Sequence, residues 1–353
     1  SFQRRTFSGH KHRSLVKPMM VVGTDGYILS VLGPYLSDGK NNDASILKSM
    51  MKSNAEEMLN WLQEGDLFIV DRGFRDSLEM LENLGFRAEM PDYLGKGQKQ
   101  HTTEEANHSR LVTKVRWVVE SANGRIKKWK ALDQVMPNSQ LHCAGDHTRI
   151  VCAICNAYRP PFVSTVDDAE LAQKLKALVR KSNNLQVKVL DEKLATKRAV
   201  WKKMEEELLE DFPKLSDSQL RDLTLGVYQL KQAKSYTQEH LSSEGKYEFT
   251  VHKEEPGLIR VRIQSRHSSS KSYLLWVSYN TDQDEDCITG WYCQCKAGAR
   301  TVGCCAHIAS VLWYLGYQRH CSDALVAGSD PAELFLNAAD DDWDSDEDDE
   351  ASE

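Results

Sequence analysis

Four residues near the carboxyl end limit what this chain can fold into more than any other feature. Cys293-Gln294-Cys295 is followed, after nine intervening residues, by Cys305-Ala306-His307, so three thiols and one imidazole fall within fifteen positions. Donors of this kind form closed tetrahedral sets around Zn²⁺, and a small module with little core draws much of its stability from such an ion. The chain has nine cysteines, an odd number, and its amino terminus does not read as a secretory leader. That combination predicts a reducing compartment in which thiols stay free or bind metal. The same residues also admit a plainer reading, free buried cysteines with His307 on a helix face. Cys304 adds a second choice, because Cys304 and His307 share a helical face at i,i+3 whereas Cys305 and His307 do not.

The formal charge of −7 comes from one end. Residues 340–353 carry ten acids and no base, which leaves residues 1–339 with 45 bases against 42 acids, or +3. A segment so acidic cannot bury enough apolar surface to order itself and is expected to be a solvated tail. With 41% apolar residues the body is that of a globular protein of two or more domains. The longest apolar run, Ile308 to Gly316, has nine residues, against the roughly 20 that a membrane-spanning helix needs. Membrane insertion is therefore not expected. The sequence starts at Ser1 without an initiator Met, which reads as a fragment or an incomplete gene product.

Along the chain, MMVVGTDGYILSVLGPYL (19–36) reads as a β-hairpin turning at Thr24-Asp25-Gly26. Residues 43–63 take up helical spacing with Asp43 as N-cap, and Leu67 to Val70 form a short strand running into Asp71-Arg72-Gly73-Phe74 before a helix near Ser77–Asn83. Strands alternating with helices predict an α/β layer architecture with functional groups at strand ends. Residues 91–109 read as an exposed loop, and a basic helix follows from Leu111 to Lys130. The expected organisation is a first domain over 1–160, a charged helical connector over 161–245, a small α+β zinc-binding module over 246–320 and the acidic tail over 321–353. Cys152 and Cys155, in the apolar run RIVCAICNAY, read as buried helical cysteines.

A metal-dependent phosphoryl-transfer site needs carboxylates converging from separate elements to hold divalent cations roughly 4 Å apart. Asp71 at a strand end and Glu120 on a helix, 49 positions apart, are candidates. The helix also carries Arg116, Arg125, Lys127, Lys128 and Lys130, suited to a nucleic-acid backbone. Spacing alone equally allows Glu120 to pair with Arg116 at i,i+4 and Asp71 to cap its turn.

At these residues the chain resembles the catalytic domain of Harbinger-type transposases of the DDE superfamily, over roughly residues 1–160. The stretches that carry the likeness are FSGHKHRSLVK, DGYILSVLGPY, NNDASIL, VDRGFRD and VVESANGRIKKWK, in that order. The resemblance implies an RNase H-like fold, with Asp71 as second and Glu120 as third acid of a triad binding Mg²⁺ or Mn²⁺ for DNA cleavage and transfer. The family's first acid lies in an Asp-Gly-Thr segment upstream of the Ser-Gly-His-Lys stretch, and this sequence shows no such segment. Asp25 reads instead as a turn residue and Asp43 as a cap, so a truncated, catalytically inactive domain is expected. WYCQCKAGARTVGCCAHIASVLWYLGY is similar to the SWIM-type zinc finger over about residues 258–319. That likeness implies a hairpin bearing Cys293 and Cys295, a helix with His307 near its start, and Cys305 rather than Cys304 as fourth ligand. Together the two imply a nuclear, transposase-derived protein with DNA as partner. The alternative they leave open is a non-enzymatic adaptor that engages a protein through the zinc module or the tail.

Overall fold

The computed structural model describes residues 2–9, 11–162, 169–204, 211–242, 248–265, 270–281, 283 and 286–321. The acidic tail expected over 321–353 thus lies, but for Cys321, outside the described residues. The chain forms two compact units: residues 1–91 with 111–168, and residues 92–110 with 169–339.

The first unit opens with α1 (Phe2–Thr6) and the short antiparallel pair β1 (Phe7–Ser8) and β2 (Arg13–Ser14). The hairpin follows as β3 (Val16–Val22) and β4 (Ile28–Leu36), antiparallel, with Val22 opposite Ile28. Its turn is held by Asp25, whose Oδ1 accepts from the Tyr27 N–H at 2.9 Å. Gly26 turns with φ +91°, and a Cβ there would lie 2.2 Å from the Phe162 ring, so glycine is required both by conformation and by space. Next come α2 (Asp43–Lys52), α3 (Met58–Trp61), β5 (Leu67–Ile69), α4 (Leu78–Asn83) and β6 (Arg87–Glu89), with β5 and β6 parallel. Helices alternate with strands, as the sequence predicts, although among the described residues the strands form separate pairs rather than one sheet. The apolar stripe of α2, Ile46, Leu47, Met50 and Met51, packs with Leu32, Met58, Leu81 and Phe86.

Three local expectations need correction. Asn42, not Asp43, caps α2, its side-chain oxygen accepting from the Ser45 N–H at 2.7 Å; Asp43 is the first helical residue. The helix expected over 43–63 breaks after Lys52, because Asn54 adopts a left-handed conformation at φ +43° and its side chain accepts from the Leu59 N–H, an arrangement that asparagine tolerates better than most residues. The loop expected up to 109 is already helical at Thr103, where α5 (Thr103–Lys127) begins. Thr102 and Glu105 form a reciprocal cap, each side chain accepting the other's backbone N–H, at 3.2 and 2.9 Å. Residues 103–110 of α5 group with the second unit and residues 111–127 with the first.

The first unit closes with α6 (Lys130–Asp133) and α7 (Ala144–Tyr158). Cys152 and Cys155 are buried with Ile28, Val31, Ile126 and Val151. Burial, and then the neighbouring Cys155, pushes the Cys152 thiol up from 9.0 to about 11. The unfolded chain ionises this thiol at lower pH than the folded one, so its contribution to stability is intact below about pH 9 and is lost as pH rises toward 11. A denaturation midpoint that falls across that range, and falls less in Cys152→Ala, is the expected result.

The second unit contains α8 (Ala169–Val179), α9 (Asn184–Asp191), β7 (Trp201–Met204), α10 (Asp217–Thr224), α11 (Tyr228–Ser242), β8 (Glu248–His252), β9 (Leu258–Gln264), β10 (Ser272–Tyr279), β11 (Ile288–Cys293) and α12 (Ala306–Gly316). Its five strands make one antiparallel sheet in the order β11-β10-β9-β8-β7. The segment around Trp201, expected to be helical, is instead the edge strand, because Trp201 pairs opposite His252 and its indole N–H donates to the Leu194 carbonyl at 3.0 Å. One sheet face carries Phe249, Ile259, Val261, Ile263, Leu275 and Val277 in one core with α12, whose Ile308, Val311, Leu312 and Leu315 are wholly buried. The other packs Trp276 and Tyr292 with Leu185 and Val189 of α9. Among the described residues no helix is long and apolar enough to cross a membrane.

Candidate metal centre and the acids of the first unit

Cys293 is the last residue of β11, fixed opposite Leu275 of β10. Beyond it the chain doubles back in a tight knuckle: the Cys293 N–H donates to the Gly298 carbonyl at 3.1 Å and the Gly298 N–H to the Cys295 carbonyl at 3.0 Å. A Cβ on Gly298 would sit 2.2 Å from the Cys293 carbonyl oxygen, so no larger residue fits without moving the knuckle. The last two candidates lie at the start of α12. Cys305 is its N-cap, with extended backbone (φ −74°, ψ 163°), and His307 is its second residue. The extended cap swings the Cys305 sulfur beside the imidazole, which an uninterrupted helix would not allow.

The ligand atoms of Cys293, Cys295, Cys305 and His307 all lie within 4.8 Å of one another. Cys293 Sγ is 3.9 Å from His307 Nδ1, close to the edge length of roughly 3.5–3.8 Å that a tetrahedral S₃N zinc site requires from its bond lengths. The His307 ring is held between Tyr236 and Tyr273, at centroid distances of 5.3 and 5.1 Å. Cys304 is buried but is not one of the converging groups, and burial pushes its thiol up to about 12.

The electrostatics favour a cation. Burial first, then hydrogen bonding to Cys295 and Cys305, drives the Cys293 thiol well up. For Cys295 the hydrogen bond with Cys293 acts downward, but the bond with Cys305 and burial outweigh it, and its thiol also rises well above 9.0. Burial also acts upward on Cys305, yet hydrogen bonds with Cys293, Cys295 and His307 leave it well below 9.0. A divalent cation at their centre would favour the ionised form of all three thiols. The residues present fit Zn²⁺.

A second layer, which the sequence reading places in an exposed loop, holds the knuckle. The Gln100 amide nitrogen donates to the carbonyls of both Cys293 and Cys295, at 2.7 and 2.6 Å, while its oxygen accepts from the Tyr292 hydroxyl at 2.9 Å. Asn107, fully buried, accepts from the N–H groups of Thr301 and Val302 at 2.7 and 3.0 Å. The Thr102/Glu105 capping signature could have revealed the helix start; nothing local reveals the partners, which lie more than 190 positions away. Asn107→Ala leaves two buried N–H groups unpaired and is expected to cost about 2–4 kcal/mol, read as a lower denaturant midpoint.

In the first unit, Asp71 follows β5 and caps the 3₁₀ turn Arg72–Ser77, its Oδ1 accepting from the Gly73 N–H at 2.7 Å. A Cβ built on Gly73 would lie 3.0 Å from both Asp71 Oδ1 and Asp43 Oδ2, so these two carboxylates flank the same backbone. Asp43 also pairs with Lys17 at 3.5 Å. Glu120 pairs with Arg116 at 2.6 Å, the two side chains 13% and 22% exposed. Among the described residues the cysteine–histidine set is the one converging group of three or more potential ligands, and neither Asp71 nor Glu120 belongs to it. Of the helix cations, Arg125 donates to the Pro160 carbonyl at 2.8 Å and lies 3.5 Å over the Phe162 ring. Lys127, Lys128 and Lys130 are exposed.

No curated protein and no solved structure matches the chain. Residues 2–156, the stretch that holds Asp71 and Glu120 and stops well short of the cysteine–histidine cluster, match the sequence family described as DDE superfamily endonuclease, which supports a transposase-like nuclease domain in this part of the chain.

Proposed function

We propose that this is a transposase-derived DNA-binding protein: an RNase H-like, DDE-type domain joined to a SWIM-type zinc finger whose Cys293, Cys295, Cys305 and His307 hold one structural Zn²⁺, acting in the nucleus. The observation that carries the reading is the match of residues 2–156 to the DDE endonucleases, enzymes that act on DNA with divalent metals. The family likeness makes Asp71 and Glu120 its second and third acids; Asp71 accepts from the Gly73 N–H and Glu120 pairs with Arg116. The 353-residue chain is therefore read as binding DNA without cutting it, even with Mg²⁺ or Mn²⁺ supplied.

The test is a plasmid-nicking assay beside a binding assay on duplex DNA. Saturable binding with no metal-dependent nicking above that of Asp71→Asn is expected. Nicking that needs Mn²⁺ and disappears in Asp71→Asn would overturn the inactive reading, and absence of DNA binding would overturn the function itself. A groove of about 940 Å³ in the second unit, lined by Leu178, Leu185, Leu223 and Trp291 among others, favours the adaptor reading as the second choice. That reading wins if DNA binding is absent and a protein partner is lost in Leu223→Asp.

A further inference from the structure

Among its described residues the second unit gathers cations that no ion pair accounts for. On the sheet face that carries Trp276, the register places Lys203 opposite Thr250, Thr250 opposite Arg260, and Glu248 opposite Arg262. Arg260 is held in place: its Nε donates to Thr250 Oγ1 at 3.1 Å and its guanidinium lies 4.6 Å over the Trp201 ring. Arg262 Nη1 donates to Ser272 Oγ at 3.3 Å. Among the described residues, none of Arg198, Lys203, Arg260 and Arg262 enters a salt bridge with an acid. Burial, and then the charges of Arg262 and Arg198, lower the Arg260 pKa.

Like charges gathered at a partly buried surface raise the energy of the free protein. Folding does not favour such an arrangement, whereas binding a polyanion relieves it. Arginine is the residue suited to this, because its planar fork meets phosphate oxygens two at a time. Hydroxyls and an indole ring fix the guanidiniums beforehand, so less side-chain entropy is lost on binding. Arg260 and Arg262 stand two residues apart on one strand, about 7 Å, comparable to the separation of successive phosphates along one nucleic-acid strand. The helix cations offer less, since Arg116 and Arg125 are committed within the first unit.

We propose that Lys203, Arg260 and Arg262, on the β7–β9 face of the second unit, together with Arg198 just before β7, bind the phosphate backbone of duplex DNA. The inference rests on the DNA-binding function proposed above and locates its main contact in the zinc-bearing unit.

The experiment uses the full, zinc-loaded chain and a fluorescent duplex of arbitrary sequence, titrated over a salt series. The triple variant R198Q/K203Q/R262Q leaves the Arg260–Trp201 stack intact; R260K keeps the charge but not the fork, and K127Q/K128Q/K130Q on the first unit is the comparison. The sheet variant is expected to bind at least tenfold more weakly and to lose about 2–3 units of the log affinity against log salt slope, since each phosphate contact contributes about 0.9. Its zinc content should be unchanged and its unfolding midpoint equal or higher, since repulsion among the cations is relieved. R260K should bind more weakly than wild type although charge is kept, because lysine offers neither the fork nor the stack, and the helix variant should lose less than the sheet variant. Wild-type affinity and slope in the sheet variant would overturn the inference while leaving the function standing. Failure of the unmodified chain to bind duplex DNA would instead defeat the function on which it rests. Displacement of the duplex by poly-glutamate at equal charge would overturn the assignment to nucleic acid in favour of an acidic protein.

Discussion

Stripping zinc from the full chain with a strong chelator is expected to unfold the second unit cooperatively while the first unit retains its helices. Zinc binding in small modules of this kind is worth about 10–16 kcal/mol at neutral pH, more than the roughly 5–15 kcal/mol by which most domains are stable at all. The reason lies in where the four candidate ligands stand. Cys293 ends β11 at one edge of the sheet, Cys305 and His307 begin the helix that fills the core, and Tyr236 of α11 packs on the imidazole. Losing the ion leaves three buried sulfurs without their common partner in one core with Ile308, Leu312 and Leu275. Cys305→Ala should reproduce the chelated state without chelator, because it removes one of the four converging ligands. Cys304→Ala should retain zinc, and its cost should be that of a small cavity, about 1 kcal/mol. Zinc release followed with a colorimetric indicator, alongside near-ultraviolet circular dichroism, separates the two.

Gly298→Ala is expected to be nearly as severe, although glycine-to-alanine changes in most loops are mild or even favourable. Here the added methyl would lie 2.2 Å from the Cys293 carbonyl oxygen and 2.7 Å from the Cys293 Cβ. Neither is the flexible end of a side chain, so the backbone must shift. The shift breaks the two hydrogen bonds of the knuckle and pulls both carbonyls away from Gln100. Outer-layer losses of this type typically cost 10–100-fold in metal affinity; with first-layer sulfurs displaced as well, a loss of more than about 100-fold is expected in competition with a chelating dye. Gln100→Ala, which removes only the outer layer, should fall within that 10–100-fold range.

Some of this architecture is legible from the residues alone. The Thr24-Asp25-Gly26 turn, the short strand running into Asp71, the alternating strands after residue 247 and the apolar stripe of α12 all follow from local chemistry and spacing. What local reading misses has a common physical cause, namely contacts made at long range. Asn54 interrupts a run of good helical spacing because its side chain finds a partner five residues ahead. Trp201 joins a sheet because an edge is available for it. Gln100 and Asn107 sit in a polar stretch that reads as surface, yet their partners arrive from residues 293–302. The arginine face becomes visible only when strand register aligns Arg260 and Arg262 with residues of β7 and β8. Conversely, Arg125 reads as a surface cation and is drawn instead to the Phe162 ring and the Pro160 carbonyl.

The account turns on three sulfurs and one nitrogen closing around a single ion, and X-ray absorption at the zinc edge of the purified full chain tests that most directly. The expected spectrum gives three sulfurs at about 2.3 Å and one nitrogen at about 2.0–2.1 Å, with one zinc per chain. Four sulfurs, which would bring Cys304 into the set in place of His307, or a shell of light atoms only, would contradict it.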